Sequence, residues 1–122
     1  CHAQTGAPQM SQRHDMQRLQ ALAQLVLDQR LMALKQAADR LERSRDQLAS
    51  INAAAAPADL PPVAAGMVDV AYQRWADVRR AELNGTIARQ SADLIDAKGV
   101  AGHAFGRVQA LDGALARLRV RK

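Results

Sequence analysis

The stretch LDQRLMALKQAADRLERSRDQL, residues 27–48, places a leucine at every seventh position. Residues seven apart lie on the same side of an α-helix, so these leucines predict a continuous apolar seam. Leu31 and Ala38 are expected to fill the alternate positions, and Arg45 interrupts the seam. A repeat sustained in this way is typical of a coiled coil. The repeating leucines are Leu27, Leu34, Leu41 and Leu48.

A second apolar repeat runs from about Met67 to the C-terminus, with steps of three and four residues in its far half. Between the repeats lie Pro57, Pro61 and Pro62, which lack the N–H group that a helix interior needs. The prolines predict a reversal of the chain. The sequence therefore predicts an all-α fold, an antiparallel two-helix coiled-coil hairpin.

The predicted hairpin occupies residues 13–122, with a helix over about 13–53, a Pro-rich connection over about 54–66 and a helix over about 67–120. In the second helix, Ala71, Trp75 and Val78 fit the seam only after a shift near residues 82–85. We interpret this shift as a stutter, where the supercoil locally unwinds. A break into two helices at Asn84-Gly85 is the alternative.

The N-terminal segment, residues 1–12, is predicted to be disordered or foreign to the native chain. Cys1 is the single cysteine, which makes an internal disulfide impossible. If Met10 is the natural start, the protein is expected to be cytoplasmic, associating with membranes only through partners. If Cys1 is acylated, the chain is instead a periplasmic lipoprotein.

The residues contain no arrangement typical of catalysis, metal binding or cofactor binding. His2, His14 and His103 stand at no ligand spacing, and Asp93 with Asp96 is read as solvated charge. No stretch approaches the roughly 20 apolar residues of a membrane span. The protein is therefore predicted to be neither an enzyme nor a transmembrane protein.

The net charge of +5 comes mainly from arginine, but acids alternate with bases along both predicted helices. The basic end from Arg117 to Lys122 could contact phosphates. A cluster of arginines in a last helical turn also complements the helix dipole without any ligand. Specific nucleic-acid binding is therefore not expected.

The predicted partner-binding residues form an apolar stripe near the C-terminus and an aromatic pair after the connection. If the longer second helix protrudes, its stripe is exposed, and an exposed stripe usually marks an interaction site. If the N-terminal segment extends as a helix, it covers the stripe. The aromatic pair either caps the hairpin by packing on Leu48, Ile51 and Leu60 or docks a partner. The residues are Val108, Leu111, Leu115, Leu118, Tyr72 and Trp75.

Glycine is frequent in the second predicted helix, and each costs about 1 kcal/mol relative to alanine. Gly99, Gly102 and Gly106 share one flank. Either they allow close approach of another helix, or small residues are merely tolerated there.

The layout from Met16-Gln-Arg-Leu through the heptad run, followed by Tyr72-Gln-Arg-Trp75, Leu83-Asn84 and an Arg-ended helix, resembles the FliJ-type family. These are small helical stalk proteins of flagellar and type III secretion export. The resemblance implies a non-catalytic, cytoplasmic coiled-coil component that binds an export ATPase, an export-gate protein and export chaperones. This chain is shorter than that family, with a Pro-rich connection and a Gly-studded second helix.

Two other functions remain open on the residues alone. The hairpin could pair with a copy of itself as a structural four-helix bundle, a homo-oligomer. It could also be a small helical lipoprotein adaptor. Acylation of Cys1 and the stoichiometry in solution separate these alternatives.

Overall fold

The computed structural model describes residues 7–54 and 61–120. They form two helices, α1 (Ala7–Ala53) and α2 (Pro62–Val120), with no strand among the described residues. The two helices pack against each other, and the first half of α1 lies in the same compact unit as the second half of α2. The prediction of an all-α helical hairpin is therefore confirmed.

Both helices begin earlier than the sequence predicted. Helix α1 starts at Ala7 instead of about residue 13, since a proline such as Pro8 is tolerated in a first turn. Helix α2 starts at Pro62 instead of about 67, and the carbonyl oxygen of Pro61 accepts a 2.7 Å hydrogen bond from the Ala65 N–H. Pro62 thus occupies the first helical position, where its missing N–H has no cost.

The end of α1 at Ala53 agrees with the predicted helix over about 13–53. The predictions that involve Cys1, Pro57 and Leu60 fall on residues 1–6 and 55–60, outside the described part of the chain.

The chain divides into two compact units, each combining part of α1 with part of α2. Unit 1 comprises Cys1–Lys35 and Asp96–Lys122, and unit 2 comprises Gln36–Ile95. In unit 1, Leu27 packs with Ala104 and Val108, and the half-buried Ala23 lies against this cluster. In unit 2, the buried cluster contains Ile51, Ala76 and Leu83, with Leu48 and Tyr72 packed on it.

Every seam leucine of the sequence prediction is at least half-buried, and so is Ala38, but the predicted alternate residue Leu31 lies outside the seam. Ala37 and Ser44 are buried, whereas Leu31 and Arg45 are exposed. The predicted interruption of the seam at Arg45 is therefore wrong. Positions three and four residues beyond a leucine are both its neighbours on a helix, and small side chains at the inner one let the helices approach closely.

Helix α2 is continuous through Asn84-Gly85, so the predicted alternative of a break there is wrong. The predicted seam at Ala71, Trp75 and Val78 is wrong, because all three residues are exposed. The inward positions are Ala76, Arg80, Leu83 and Ile87, which continue the steps of three and four residues. No shift near residues 82–85 is needed, so the predicted stutter there is also wrong.

Candidate protein-docking groove

Unit 1 exposes a run of large apolar side chains along α1. Leu22 is 59% exposed and Leu25 is 65% exposed, although both belong to a continuous helix that packs on α2. Isolated apolar residues on a surface are ordinary, but a contiguous group marks an interaction site. The exposed group in α1 is Leu19, Leu22, Leu25, Val26, Leu31 and Met32.

Part of this group lines a groove between the two helices of unit 1, which we call the leucine groove. Leu19, Leu22 and Val26 follow the spacing i, i+3, i+7, so they form one ridge on α1 beside the seam residue Ala23. The opposite wall, on α2, combines two alanines with one arginine and one leucine. The groove encloses about 400 Å³ and is lined by Leu19, Leu22, Ala23, Val26, Ala104, Arg107, Ala110 and Leu111.

A smaller hollow of about 210 Å³ continues the same flank toward the start of α1 and the end of α2. Met16 lies one turn before Leu19, and Ala114 lies one turn after Ala110. The groove and the hollow therefore follow one another along the same side of unit 1, and both helices contribute to each. The hollow is lined by Gln12, Met16, Ala114, Arg117 and Leu118.

The charged residues that line these two concavities are both basic, Arg107 in the groove and Arg117 in the hollow. Two salt bridges occur among residues 10–54 and 61–120, Arg79 with Glu82 and Arg80 with Asp77, and both lie in unit 2. Neither guanidinium of the groove therefore has a carboxylate partner within the described part of the chain.

The predicted C-terminal stripe is not exposed as a whole. Val108 is only 8% exposed and Leu115 only 4%, so the expectation that α2 protrudes is wrong for these two residues. The physical reason is that α1 starts at Ala7 and so supplies helix to pack against the end of α2. Leu111 and Leu118 are half-buried, and they line the groove and the hollow. The stripe therefore belongs to the hairpin's own packing at Val108 and Leu115.

The aromatic pair of the sequence prediction has two different environments. Tyr72 packs on the buried cluster that contains Ile51, and its hydroxyl donates a 2.8 Å hydrogen bond to the carbonyl oxygen of Ile51. The predicted packing of Tyr72 at Ile51 is confirmed, and Leu48 packs on the same cluster. Trp75 has its ring centroid 5.7 Å from that of Tyr72 but remains 55% exposed. Trp75 alone of the pair is available to a partner.

The glycines of α2 face open space. A methyl group added at Gly99, Gly102, Gly106 or Gly113 would meet no other atom within 4 Å. Close packing within the described hairpin therefore does not require these glycines. No helix among the described residues approaches these glycines closely.

The titratable residues that the sequence singled out lie apart from the groove. Among residues 10–54 and 61–120, no three His, Cys, Asp or Glu side chains gather in a way that could hold a metal ion. His103, Asp93 and Asp96 are exposed. No helix in the described part of the chain is long and apolar enough to cross a membrane.

Leu19, Leu22 and Val26 precede the heptad leucines in the sequence and are not among the predicted partner-binding residues. The available signal was an excess of apolar residues: between Leu19 and Leu27, more positions are apolar than one seam can use. Such a surplus predicts a second apolar face. Comparison with protein-family models, curated proteins and solved structures found no significant match to this chain.

Proposed function

We propose that this protein is a non-catalytic helical-hairpin adaptor that binds a helix of another protein in the leucine groove. The observation that carries the proposal is the exposed ridge of Leu19, Leu22 and Val26, which lines a groove between the two helices of unit 1. Helix-in-groove recognition uses apolar anchors at this spacing. A third helix seated there would remove the exposed side chains of Leu19, Leu22 and Val26 from water.

Burial of apolar surface supplies the driving force. Each large aliphatic side chain contributes about 1.5–3 kcal/mol when it passes from full exposure to full burial. Leu19, Leu22 and Val26 are 40–59% exposed, so each retains a substantial part of this gain for a partner. The surrounding seam residues are already buried, so the hairpin offers the groove as a formed surface.

The resemblance to the FliJ-type family supplies the first partners to test. Within the proposal, the partner helix belongs to an export ATPase, an export-gate protein or an export chaperone, and the protein acts in the cytoplasm as a coupling component of protein export. The exposed Trp75 in unit 2 is proposed as a separate contact for such a partner.

The test compares two serine variants in the same helix. Leu22→Ser alters the groove, and Leu31→Ser alters a similarly exposed leucine that does not line it. The probe is a synthetic amphipathic helix with leucine on one face and glutamine on the other, about 28 residues long so that it can form a helix in water. Binding to the full chain is measured by fluorescence anisotropy, with circular dichroism to verify helicity.

The proposal expects the native chain and Leu31→Ser to bind the peptide and Leu22→Ser to bind it at least about tenfold more weakly, with helicity unchanged. Equal binding by both variants would show that the groove is not the docking site.

The second candidate function is self-association into a four-helix bundle, which the same exposed ridge favours. Light scattering over a range of concentrations separates the two functions. A monomer at all concentrations supports the adaptor, whereas a stable dimer that Leu22→Ser dissociates supports the structural bundle.

A further inference from the structure

Charge divides unevenly between the two units. The described residues of unit 1 include eight Lys and Arg against four Asp and Glu, whereas those of unit 2 include seven of each. The net charge of +5 therefore arises mainly in the unit that contains the leucine groove. Two such units brought together would repel each other, which disfavours a second copy as the occupant.

The charged side chains that line the groove and the hollow are also positive. Arg107 lines the groove and Arg117 the hollow, while no acidic residue lines either concavity. Two of the four acids of unit 1 already accept hydrogen bonds on the hairpin itself, Asp28 from Gln24 and Asp112 from Gln20. Among residues 10–54 and 61–120, neither Arg107 nor Arg117 forms a salt bridge, so both guanidinium groups can pair with carboxylates of a bound partner.

Small residues on α2 beside the groove would also allow a partner helix to pack close to the α2 backbone. Gly106 and Gly113 flank Ala110 at i−4 and i+3, so these three positions of α2 carry no side chain larger than a methyl group. An added methyl at either glycine meets nothing within 4 Å. A helix over Ala110 can thus bring its polar flank within reach of both arginines.

We infer that the occupant of the leucine groove is an acidic amphipathic helix, whose apolar face covers Leu19, Leu22 and Val26 and whose carboxylates pair with Arg107 and Arg117. This inference rests on the proposed function. Ten residues separate the two arginines in sequence, which is about 15 Å along a helix. The partner's carboxylates then stand about three helical turns apart on the flank of its apolar face.

The experiment uses three synthetic helices with the same leucine face and a polar face of glutamate, glutamine or lysine. Each is titrated against the full chain at low and high salt. The inference expects the acidic helix to bind about tenfold tighter than the neutral one, with the lysine helix weakest. The advantage of the acidic helix is expected to shrink as salt increases, because exposed charges are screened.

Variants assign the preference to the two arginines. Arg107→Gln with Arg117→Gln is expected to reduce the acidic helix to the affinity of the neutral one and to leave the neutral one unchanged. The matched control is Arg43→Gln with Arg74→Gln, two exposed arginines of unit 2 that are in neither salt bridge. This control is expected to keep the full preference.

The outcomes separate the inference from the proposed function. If neutral and acidic helices bind equally through Leu22, the groove docks a helix but the acidic partner is wrong. If none of the three helices binds, both statements fail. Co-sedimentation with phosphatidylglycerol vesicles that depends on Leu22, without binding of the acidic helix, would make the occupant a membrane surface and overturn the inference. A dimer lost in Leu22→Ser would make it a second copy, with the same consequence.

Discussion

The hydroxyl of Tyr72 donates a 2.8 Å hydrogen bond to the carbonyl oxygen of Ile51, and thereby joins the start of α2 to the last turn of α1. The last four carbonyl groups of a helix have no hydrogen-bond donor within that helix. The Tyr72 hydroxyl provides a donor for one of these carbonyl groups in α1. Arg80 adds a second link in unit 2, since its Nε donates to Oδ1 of Asn52 at 2.8 Å.

Replacing Tyr72 by phenylalanine is therefore expected to lower the free energy of unfolding by about 1 kcal/mol, the usual net value of such a hydrogen bond. Chemical denaturation followed by circular dichroism measures the change. Trp75→Phe is the control, because Trp75 is mostly exposed and is expected to change stability by less than about 0.5 kcal/mol. Equal losses in both variants would contradict the assigned role of the hydroxyl.

The register of α1 is tested by comparing two leucines. Leu41 is 3% exposed, so Leu41→Ala is expected to cost about 2–4 kcal/mol of stability through lost burial and a residual cavity. Leu31→Ala is expected to cost less than about 1 kcal/mol, because Leu31 lies outside the buried seam. Thermal unfolding of the two variants measures the difference. A loss at Leu31 as large as that at Leu41 would restore the seam that the sequence predicted.

A buried side-chain amide in unit 2 is expected to lower the free energy of unfolding of the hairpin. Oε1 of Gln90 is buried without a hydrogen-bond partner among the described residues. An unsatisfied buried polar group costs about 1–3 kcal/mol, so Gln90→Leu is expected to raise the free energy of unfolding by about that amount. Denaturant titration measures it. Gln73→Leu, at an exposed position of the same helix, is the control, and a stabilisation of equal size there would show that the effect is general hydrophobicity.

The glycines of α2 give a prediction that separates folding from binding. Because added methyl groups meet nothing within 4 Å, Gly106→Ala and Gly113→Ala are each expected to stabilise the free chain by about 1 kcal/mol. If a partner helix lies close to this surface, the same variants also weaken its binding. Stability is measured by urea denaturation and affinity by the peptide titration. Ala92→Gly is the converse control, expected to destabilise by a similar amount. A loss of stability at Gly106 or Gly113 would contradict the open surface.

The heptad leucines allowed the fold class to be predicted because their seven-residue spacing has one simple solution, a helix with an apolar seam. The same pattern did not determine which neighbours complete the seam. Ala37 and Ala38 are both apolar and adjacent, and only the position of the second helix decides between them. Around Trp75 the larger residue was expected inside, whereas Ala76 is buried because close helices favour small side chains.

The candidate site was harder to predict, because the property that defines it is incomplete burial. From the sequence alone, a leucine on a helix can belong either to the buried core or to an exposed docking surface. The position of the helix that packs against it decides between the two. Leu22 and Leu115 are both leucines in apolar repeats, yet one is exposed and the other buried. Leu115 is buried because α1 begins at Ala7, earlier than predicted, and so covers the end of α2.

The glycine-rich surface of α2 has a consequence for how the molecule opens. Gly99, Gly102, Gly106 and Gly113 together lower the intrinsic helix stability of this segment by about 4 kcal/mol, a large share of the total stability of a small domain. Amide hydrogens in this segment are therefore expected to exchange with solvent through local opening, well before the leucine-rich part of α1 opens. A bound partner helix would slow that exchange. Slower exchange of the α2 amide hydrogens would therefore indicate that the leucine groove is occupied.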